Sequence, residues 1–428
     1  MRILIDHGCY DLLNQGDVAM LQVAVTRLNR LWPGAFIQVI TDAPDRLAIY
    51  CANAHPVHPH TRLSWNKAGR LFGRLQQART SWVSEQLFNL ERAIWRRWPR
   101  LVQCLVQSKL KRRGLKVNLE EINDFSEAFW GADLIIASGG GYINDAFRWH
   151  AVKLLDMLKI ATEFGIPTAM FSQGLGPIQH PELQAKVKTT LPLVDLLTTR
   201  EGQHSLSLLT SLDALPGQVI TTGDDAIELA YTHRSSHPGM GIGLNLRAAA
   251  YSGVDNEVIK VVRTVVGVAA QKYSARLIPL PISFYYEESD VTTLQQLLQG
   301  YDDASDGGQS LDHPLKIVEQ VGCCRVVVTG SYHAGVFALA QGIPVVGLVK
   351  SAYYGDKFSG LANQFGLGCE IISLDDPRLY DKLMLGIETA WKSAESVRPH
   401  LLKAAVAQIE AGQAAYRQLY KLVKRRYD

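Results

Sequence analysis

Short apolar, β-branched runs alternate with segments of helical period along the first half of this chain. The runs predict strands at 3–6, 36–41, 133–138, 168–172, 196–199 and 219–222. Helices are predicted between them at 18–31, 148–164 and 205–210, with Asp17 as the expected N-cap of the first. Strands that alternate with helices in this way predict a doubly wound parallel sheet.

A second alternation begins after a polar segment at 231–240, whose proline and glycine are typical of a linker. Strands and helices are predicted in turn at 241–246, 257–272, 276–281, 291–298, 325–329, 334–341, 345–349 and 369–373. We therefore predict an α/β protein of two Rossmann-like doubly wound domains that face each other across a cleft. Their predicted bounds are 1–235 and 236–380, and a helical tail at 381–428 is expected to pack across both.

A basic segment at 61–117 interrupts the first alternation with a helical period. Its apolar stripe is formed by Leu87, Leu90, Ile94, Trp98 and Leu101. The segment contains fourteen lysines and arginines but only two acidic residues, and the basic residues are interleaved with Trp65, Trp82, Trp95 and Trp98. The segment is either a solvated face over a packed helical hairpin or a surface that contacts an anionic membrane or acceptor.

Composition narrows the class of protein. With 428 residues, 47% hydrophobic and 20% charged, the chain suits two or three globular domains. A net charge of +3 does not favour a nucleic-acid partner. The amino terminus has the pattern of a strand rather than a signal sequence, and the six cysteines lack metal-binding or CxxC spacing. We expect a cytoplasmic protein with no metal and no cofactor.

The segment 325–350 carries the clearest functional signal. Gly330 and Ser331 turn the chain between a buried strand and a helix, at the sheet edge where α/β proteins bind ligands. The first turn of such a helix offers unpaired N–H groups to an anion. His333 lies at this point and is a candidate for proton transfer to a phosphorylated or carboxylated substrate. The alternative is that it only caps its own helix.

Polar loops follow five strands of the first half, at 8–19, 138–145, 172–177, 198–201 and 222–225. Three successive glycines in the second of them allow the backbone to approach a ligand closely. No loop carries the P-loop or dinucleotide fingerprint in the right place. In the second half, Arg247, Lys350 and Lys357 are candidates for anion binding, with an ordinary surface cation as the alternative.

Taken together, these residues resemble the polysaccharide pyruvyl transferase family. The matching pieces are Asn14-x-Gly16-Asp17-x-Ala19, Gly139-Gly140-Gly141 with Asp145, Gln173-Gly174-x-Gly176-Pro177, Thr199-Arg200 with Ser205, Gly223-Asp224-Asp225-Ala226, Tyr332-His333 with Phe337-Ala338, Gly342-x-Pro344 and Tyr354-x-x-Lys357. They span nearly the whole chain in the family's order. The resemblance implies two facing Rossmann-like domains close to the GT-B arrangement. It also implies transfer of the pyruvyl group of phosphoenolpyruvate to a sugar of a surface polysaccharide or its lipid-linked precursor, usually as a ketal.

The family usually has an arginine two places before the histidine, where this chain has Ser331. Arg200, Arg247 and Lys350 are the candidates to supply that charge. Ketal formation requires a proton at C3 of the enol, attack at C2 by two hydroxyls, and loss of phosphate. His333 is the predicted acid and Asp145 the predicted base, with Asp17 as the second choice. The predicted substrate-binding residues are Asn14, Gly140, Gly141, Gln173, Arg200, Arg247, Ser331, Tyr332, Lys350 and Lys357.

Two other functions remain open at this stage. A GT-B glycosyltransferase that uses a nucleotide sugar would share the architecture, although the loop of three glycines with Asp145 follows the pyruvyl transferase pattern. A non-catalytic relative that binds glycans would explain Ser331, but the presence of His333, Arg200 and Asp145 together argues against it. An acceptor on a lipid carrier would place the enzyme at the inner membrane face, with the segment 61–117 as its contact.

Overall fold

A computed structural model of the chain describes residues 1–59, 119–247, 254–301 and 306–427, together with isolated positions between 87 and 108. Most of the basic segment 61–117 therefore lies outside the described residues, and its predicted membrane contact stays a prediction. Three members of its predicted apolar stripe, Leu90, Trp98 and Leu101, are at least half exposed. Ile94, by contrast, packs against the core of the first half.

The first sheet contains eight described strands, all parallel to their neighbours. They are β1 (Arg2–Asp6), β2 (Phe36–Ile40), β3 (Ala54–Val57), β4 (Leu134–Ala137), β5 (Gly140–Ile143), β6 (Thr168–Leu175), β7 (Leu196–Thr199) and β8 (Val219–Thr221). Their order is β3-β2-β1-β4-β6-β7-β8, with β5 beside β6. The order reverses between β1 and β4, which makes the loops after these two strands a ligand-binding crevice.

The second sheet is also parallel and contains β9 (Gly241–Asn245), β10 (Leu277–Pro279), β11 (Cys324–Thr329), β12 (Val345–Val349) and β13 (Cys369–Ser373). Its order is β10-β9-β11-β12-β13, so the direction of winding reverses between β9 and β11. Strands such as β4, β7 and β9 are buried along their whole length, as expected when helices cover both faces of a parallel sheet. The predicted α/β class with two doubly wound sheets is confirmed.

In the described part of the first half the helices are α1 (Gln15–Leu31), α2 (Pro44–Tyr50), α3 (Leu119–Gly131), α4 (Arg148–Glu163), α5 (Pro181–Thr190), α6 (Gln203–Ser211) and α7 (Ala226–Thr232). Those of the second are α8 (Asn256–Tyr273), α9 (Asp290–Leu298), α10 (Pro314–Gly322), α11 (Tyr332–Ala340), α12 (Ala352–Phe365) and the long α13 (Leu379–Tyr427). Elements predicted from the sequence are present with ends within three residues of the prediction.

The start of α1 differs from the prediction in a way that matters for the site. Asn14, not Asp17, is the N-cap, because Asn14 Oδ1 accepts hydrogen bonds from the N–H groups of Gly16 (3.0 Å) and Asp17 (3.2 Å). The helix therefore begins three residues early, at Gln15. The carboxyl group of Asp17 therefore projects from the first turn of α1 and does not cap the helix.

Backbone hydrogen bonds join the two halves beside the cleft. The N–H of Gln15 donates to Ile282 O (2.8 Å), and the N–H of Phe284 donates to Leu13 O (2.9 Å). Asn14 and Ser283 form an isolated antiparallel bridge between these two contacts. The loop before α1 is thus fixed to the second half by its main chain.

Helix α13 packs along both halves of the molecule. Leu401 lies in the core around α11, and Tyr416 lies in the core between α1 and the first sheet. The hydroxyl of Tyr416 donates to Asp225 Oδ2 (2.9 Å), and Asp225 also forms a buried ion pair with Arg27 (2.6 Å). Across the described ranges, no helix combines the length and the apolar character needed to span a bilayer.

Candidate functional site

A cavity of about 690 Å³ lies where the carboxyl ends of the two sheets face each other. It is reached from both crevices: the loops after β1 and β5 line it on one side, and those after β9 and β11 on the other. A smaller cavity of about 200 Å³ adjoins it. The residues that line both are Gly141, Arg200, Tyr332, Tyr353 and Lys357.

His333 stands at the second position of α11, inside the larger cavity. The N-cap residue of α11 is Ser331, and among the described residues no side chain caps the N–H groups at the start of this helix. The ring packs directly against α1, since a Cβ atom on Gly16 would lie only 2.0 Å from His333 Cγ. Burial lowers the pKa of His333 well below its usual range, and the charges of Arg200 and Lys357 lower it further. The imidazole is therefore neutral near pH 7.

Asp224 links His333 to Arg200. One oxygen, Asp224 Oδ2, lies 3.1 Å from Arg200 Nε and 3.7 Å from His333 Nε2. The other accepts a hydrogen bond from the N–H of Ala226 (2.9 Å). Arg200 also donates from Nε to Ser172 O (2.9 Å). Both charged groups are nearly fully buried, so the pair holds the guanidinium in one place at the back of the cavity.

Two cations flank the aromatic ring next to Ser331. The guanidinium carbon of Arg200 lies 5.0 Å from the centre of the Tyr332 ring, and the amino group of Lys357 lies 6.0 Å from it. Lys357 also lies 4.0 Å from the centre of the Tyr353 ring. Two positively charged side chains thus lie beside the helix start that follows Ser331.

Asp17 projects into the same cavity from the first turn of α1. Burial raises its pKa from 3.8 to about 6, although Arg200 and Lys357 oppose the rise. A carboxyl group with such a pKa exchanges protons near neutral pH, which is the property that acid–base catalysis requires.

Arg247, on the second side of the cavity, is held by acidic neighbours. Its Nη1 donates to Glu288 O (2.7 Å) and Asp290 Oδ1 (3.0 Å), and its Nη2 donates to Glu288 Oε2 (3.1 Å). Because two carboxylates already balance its charge, Arg247 adds little net positive charge to the cavity.

The structure does not bring Asp145 into the cavity lining, contrary to its predicted role as base. The N–H groups of Gln179 and His180 donate to its two oxygens, at 2.6 and 3.1 Å. Its carboxylate therefore holds the loop after β6 in place. Lys350 also lies outside this cavity, with its amino group 3.0 Å from Asp255.

Two further predicted binding residues shape the site without lining it. Gln173 is fully buried, and its Nε2 donates to Phe171 O (2.9 Å) and to the Tyr142 hydroxyl (3.2 Å). Gly140 leaves room for the same tyrosine, because a Cβ atom there would lie 2.2 Å from the ring. The remaining predicted residues, which are Asn14, Gly141, Arg200, Arg247, Ser331, Tyr332 and Lys357, all line the large cavity.

Sequence reasoning missed three contributors to the site. Asp224 belongs to a matched motif but was given no role, although an acid in the loop after a strand is a common sign of a functional residue. Tyr353 lines both cavities and its hydroxyl donates to Gly141 O (3.1 Å) across the cleft. His150 lines the cavity from α4, where nothing in the local pattern distinguishes it from other polar helix residues.

Several solved structures share the fold of this chain. The chain is similar to UDP-GlcNAc 2-epimerase from Neisseria meningitidis bound to UDP-GlcNAc (13% identity, TM-score 0.50, 99% of this chain and 100% of that chain). It is also similar to UDP-GlcNAc 2-epimerase from Methanocaldococcus jannaschii (11%, 0.52, 98% of each). A third is UDP-glucose: anthocyanidin 3-O-glucosyltransferase in complex with UDP (9%, 0.50, 99% of each). At these identities the likeness shows a GT-B-like fold and nothing more.

No curated protein matches the chain significantly. A family model, in contrast, matches residues 14–350, which include the Asn14 loop, the glycine loop, Arg200, Asp224 and the start of α11. The match covers most of the chain. On this basis the protein belongs to the polysaccharide pyruvyl transferase family and is a transferase.

Proposed function

We propose that this enzyme transfers the pyruvyl group of phosphoenolpyruvate to a sugar of a surface polysaccharide or its lipid-linked precursor and forms a ketal. The observation that carries the proposal is the convergence of Asp17, Arg200 and His333 at the uncapped start of α11. These residues come from both halves and meet in a cavity of about 690 Å³. Pockets for ligands of drug size measure roughly 300–1,000 Å³, so the cavity suits a small donor beside a sugar.

The donor's anionic groups fit the positive side of the cavity. Phosphate would bind the N–H groups at the start of α11, where Ser331 leaves room that an arginine would fill. Arg200 and Lys357, which flank Tyr332, supply charge for the carboxylate and phosphate. They take the place of the family's usual arginine in this proposal.

The pKa shifts favour Asp17, the second choice for the base, as the acid, and His333, the predicted acid, as the base. Asp17, with a pKa of about 6, is partly protonated near neutral pH and protonates C3 of the enol. The first sugar hydroxyl attacks C2 and gives its proton to neutral His333. The resulting imidazolium, beside the phosphate at the helix start, protonates the departing phosphate. The second hydroxyl then attacks C2, closes the ring and loses its proton, and Asp17 recovers the proton that it gave to C3.

Aromatic side chains at the cavity suit a saccharide acceptor. Phe147 and Tyr286 line it from opposite halves of the molecule and are 39% and 98% exposed. Flat apolar faces with polar surroundings pack well against sugar rings. The reaction is proposed to take place in the cytoplasm on material for the cell envelope.

The proposal includes contact of the segment 61–117 with an anionic membrane surface. The exposed Leu90, Trp98 and Leu101 in the segment 61–117 would enter the interface, and its many bases would bind anionic headgroups. Co-sedimentation with anionic and neutral vesicles tests it. Binding that is absent, or that survives the changes Arg92→Glu, Arg96→Glu and Arg97→Glu together, would contradict the membrane role.

The decisive experiment for the function is mass spectrometry of sugar acceptors incubated with enzyme and phosphoenolpyruvate. A ketal adds the mass of pyruvate less water, and inorganic phosphate appears in equal amount. Thermal unfolding with phosphoenolpyruvate or with nucleotide sugars separates this proposal from a glycosyltransferase. Stabilisation by nucleotide sugars alone would favour the glycosyltransferase, and stabilisation by glycans alone would favour a binding protein.

A further inference from the structure

A second group of titratable side chains lies on the first-half side of the same cavity, away from His333. Asp6 ends strand β1 and is fully buried, and His150 on α4 lines the cavity. His150 Nε2 lies 3.9 Å from Asp6 Oδ1. A histidine that meets a buried carboxylate on one side and a substrate cavity on the other has the arrangement of a proton acceptor.

The surroundings fix the orientation of this histidine. Its ring packs edge-on between Tyr10 (centroids 5.2 Å apart, 61°) and Tyr142 (4.9 Å, 80°). The Tyr10 hydroxyl also donates to Asp6 Oδ1 (3.3 Å), which holds the carboxylate. Tyr142 is held in turn by a hydrogen bond to Ser138 O (2.7 Å). Aromatic packing therefore sets the plane of the imidazole, and the carboxylate can stabilise its protonated form.

The neighbouring His7 does not compete for this role. It is 1% exposed, and burial lowers its pKa to about 4, so it stays neutral where the enzyme would work. Its place beside Asp6 adds no positive charge that would discourage protonation of His150. The pair Asp6–His150 thus remains the acid–base unit on this side.

The second sugar hydroxyl also needs a proton acceptor at the moment of ring closure. Two hydroxyl groups each lose a proton while two C–O bonds form at C2 and the bond from C2 to the phosphate oxygen breaks. One proton leaves on the phosphate through His333, and C3 receives one from Asp17. The proton of the second hydroxyl must leave when the ring closes, and Asp17 must then recover one. The Asp17 carboxylate itself is one acceptor for this proton. A base on the other side of the cavity, which later returns the proton to Asp17 through solvent, balances the reaction equally.

We propose that His150, positioned by Asp6, accepts the proton of the second sugar hydroxyl during ring closure. This inference rests on the proposed function. His150 would contact the acceptor and is thus a catalytic residue, whereas Asp6 is a positioning residue that acts through it. The two bases would serve the two hydroxyls from different sides of the cavity.

The test compares His150→Phe and His150→Gln with wild type in steady-state ketal formation. Phenylalanine keeps a ring between Tyr10 and Tyr142 but has no nitrogen, so it separates packing from proton transfer. We expect kcat to fall about 100-fold or more in both variants. The acceptor KM, the phosphoenolpyruvate Kd from calorimetry and the Tm of His150→Phe should stay near the wild-type values. Asp6→Asn should lower kcat about tenfold without raising the acceptor KM.

His58→Gln is the matched control, because His58 also pairs with an aspartate, Asp42 (3.4 Å), but does not line the cavity. It should leave kcat unchanged. A His150→Phe enzyme that keeps wild-type kcat would overturn the proposal, as would a kcat loss matched by an equal loss of donor affinity and Tm. An unchanged kcat in folded Asp6→Asn would remove the positioning role. Failure of the wild-type enzyme to bind phosphoenolpyruvate would instead reject the proposed function itself.

Discussion

The contact between Gly16 and His333 gives the sharpest test of the site. In Gly16→Ala the new methyl carbon would lie 2.0 Å from His333 Cγ and 2.1 Å from Nδ1, whereas ordinary contacts begin at 3.4 Å. The imidazole or the start of α1 must therefore move by about 1.4 Å or more. Misplacement of a catalytic group by about 1 Å can cost roughly 100-fold in rate, so kcat/KM should fall at least that far.

The same overlap should lower the free energy of unfolding. Overpacking of a rigid core costs about 1–3 kcal/mol, and each kcal/mol lowers the Tm by about 2–4 °C in a domain of 150–250 residues. Gly217→Ala is the control, because no described atom comes within 4 Å of a Cβ at that position. His333 Cβ would also lie 2.5 Å from the new methyl carbon, so the double variant has to remove that atom as well. In Gly16→Ala/His333→Gly the whole clashing side chain is gone, and the Tm should return to that of His333→Gly alone.

Calorimetry of unfolding and steady-state kinetics on these four variants decide the matter. Normal kcat/KM together with an unchanged Tm in Gly16→Ala would refute the close approach of α1 to His333. A Tm deficit that persists in the double variant would show that the clash lies elsewhere.

Three further predictions concern the charged groups of the site. His333→Gln should lower kcat by at least about 100-fold with an unchanged fold by circular dichroism, and near-normal turnover would make His333 structural. Arg200→Ala should lower both donor affinity and stability, because it leaves Asp224 buried without its ion pair, a loss of about 3–5 kcal/mol; an unchanged Tm would contradict this. Asp17 has a raised pKa of about 6, so its contribution to stability is present below pH 3.8 and is lost as the pH rises through 6. The free energy of unfolding of Asp17→Asn relative to wild type should therefore increase from pH 4 to pH 7.5, and a constant difference would argue against the shift.

The hydrophobic periodicity of the sequence predicted the strands and helices that have an apolar buried face. It did not predict two strands that lack such a pattern. Strand β5 (Gly140–Ile143) begins with two glycines, which carry no alternation, and β3 (Ala54–Val57) contains a proline at the sheet edge. Both strands form because their neighbours in the sheet offer hydrogen bonds, which a local pattern cannot show.

The residues of the site likewise divide into those that a local sequence pattern can predict and those that it cannot. Asp145 and Asp224 both follow strands in polar loops, and the sequence cannot tell which one faces the cleft. The difference comes from residues distant in sequence: the amides of Gln179 and His180 turn Asp145 away, while Arg200 holds Asp224 toward His333. The position of His333 was predictable because a strand, a turn and a helix fix it locally. Its contact with Gly16 joins residues more than 300 positions apart and was not predictable.

The loop before α1 has a consequence for the biogenesis of the enzyme. Asn14 bridges to Ser283, and Met20 of α1 packs in the core around α11. This part of the first half is therefore buried only when the second half has folded against it. During synthesis the amino-terminal half leaves the ribosome with this part of α1 uncovered, and the catalytic pocket does not exist until most of the chain has emerged. A nascent chain that is interrupted before β11 would therefore expose the apolar face of α1, which favours aggregation, and would have no catalytic activity. Split versions of the protein would have to reassociate to regain activity.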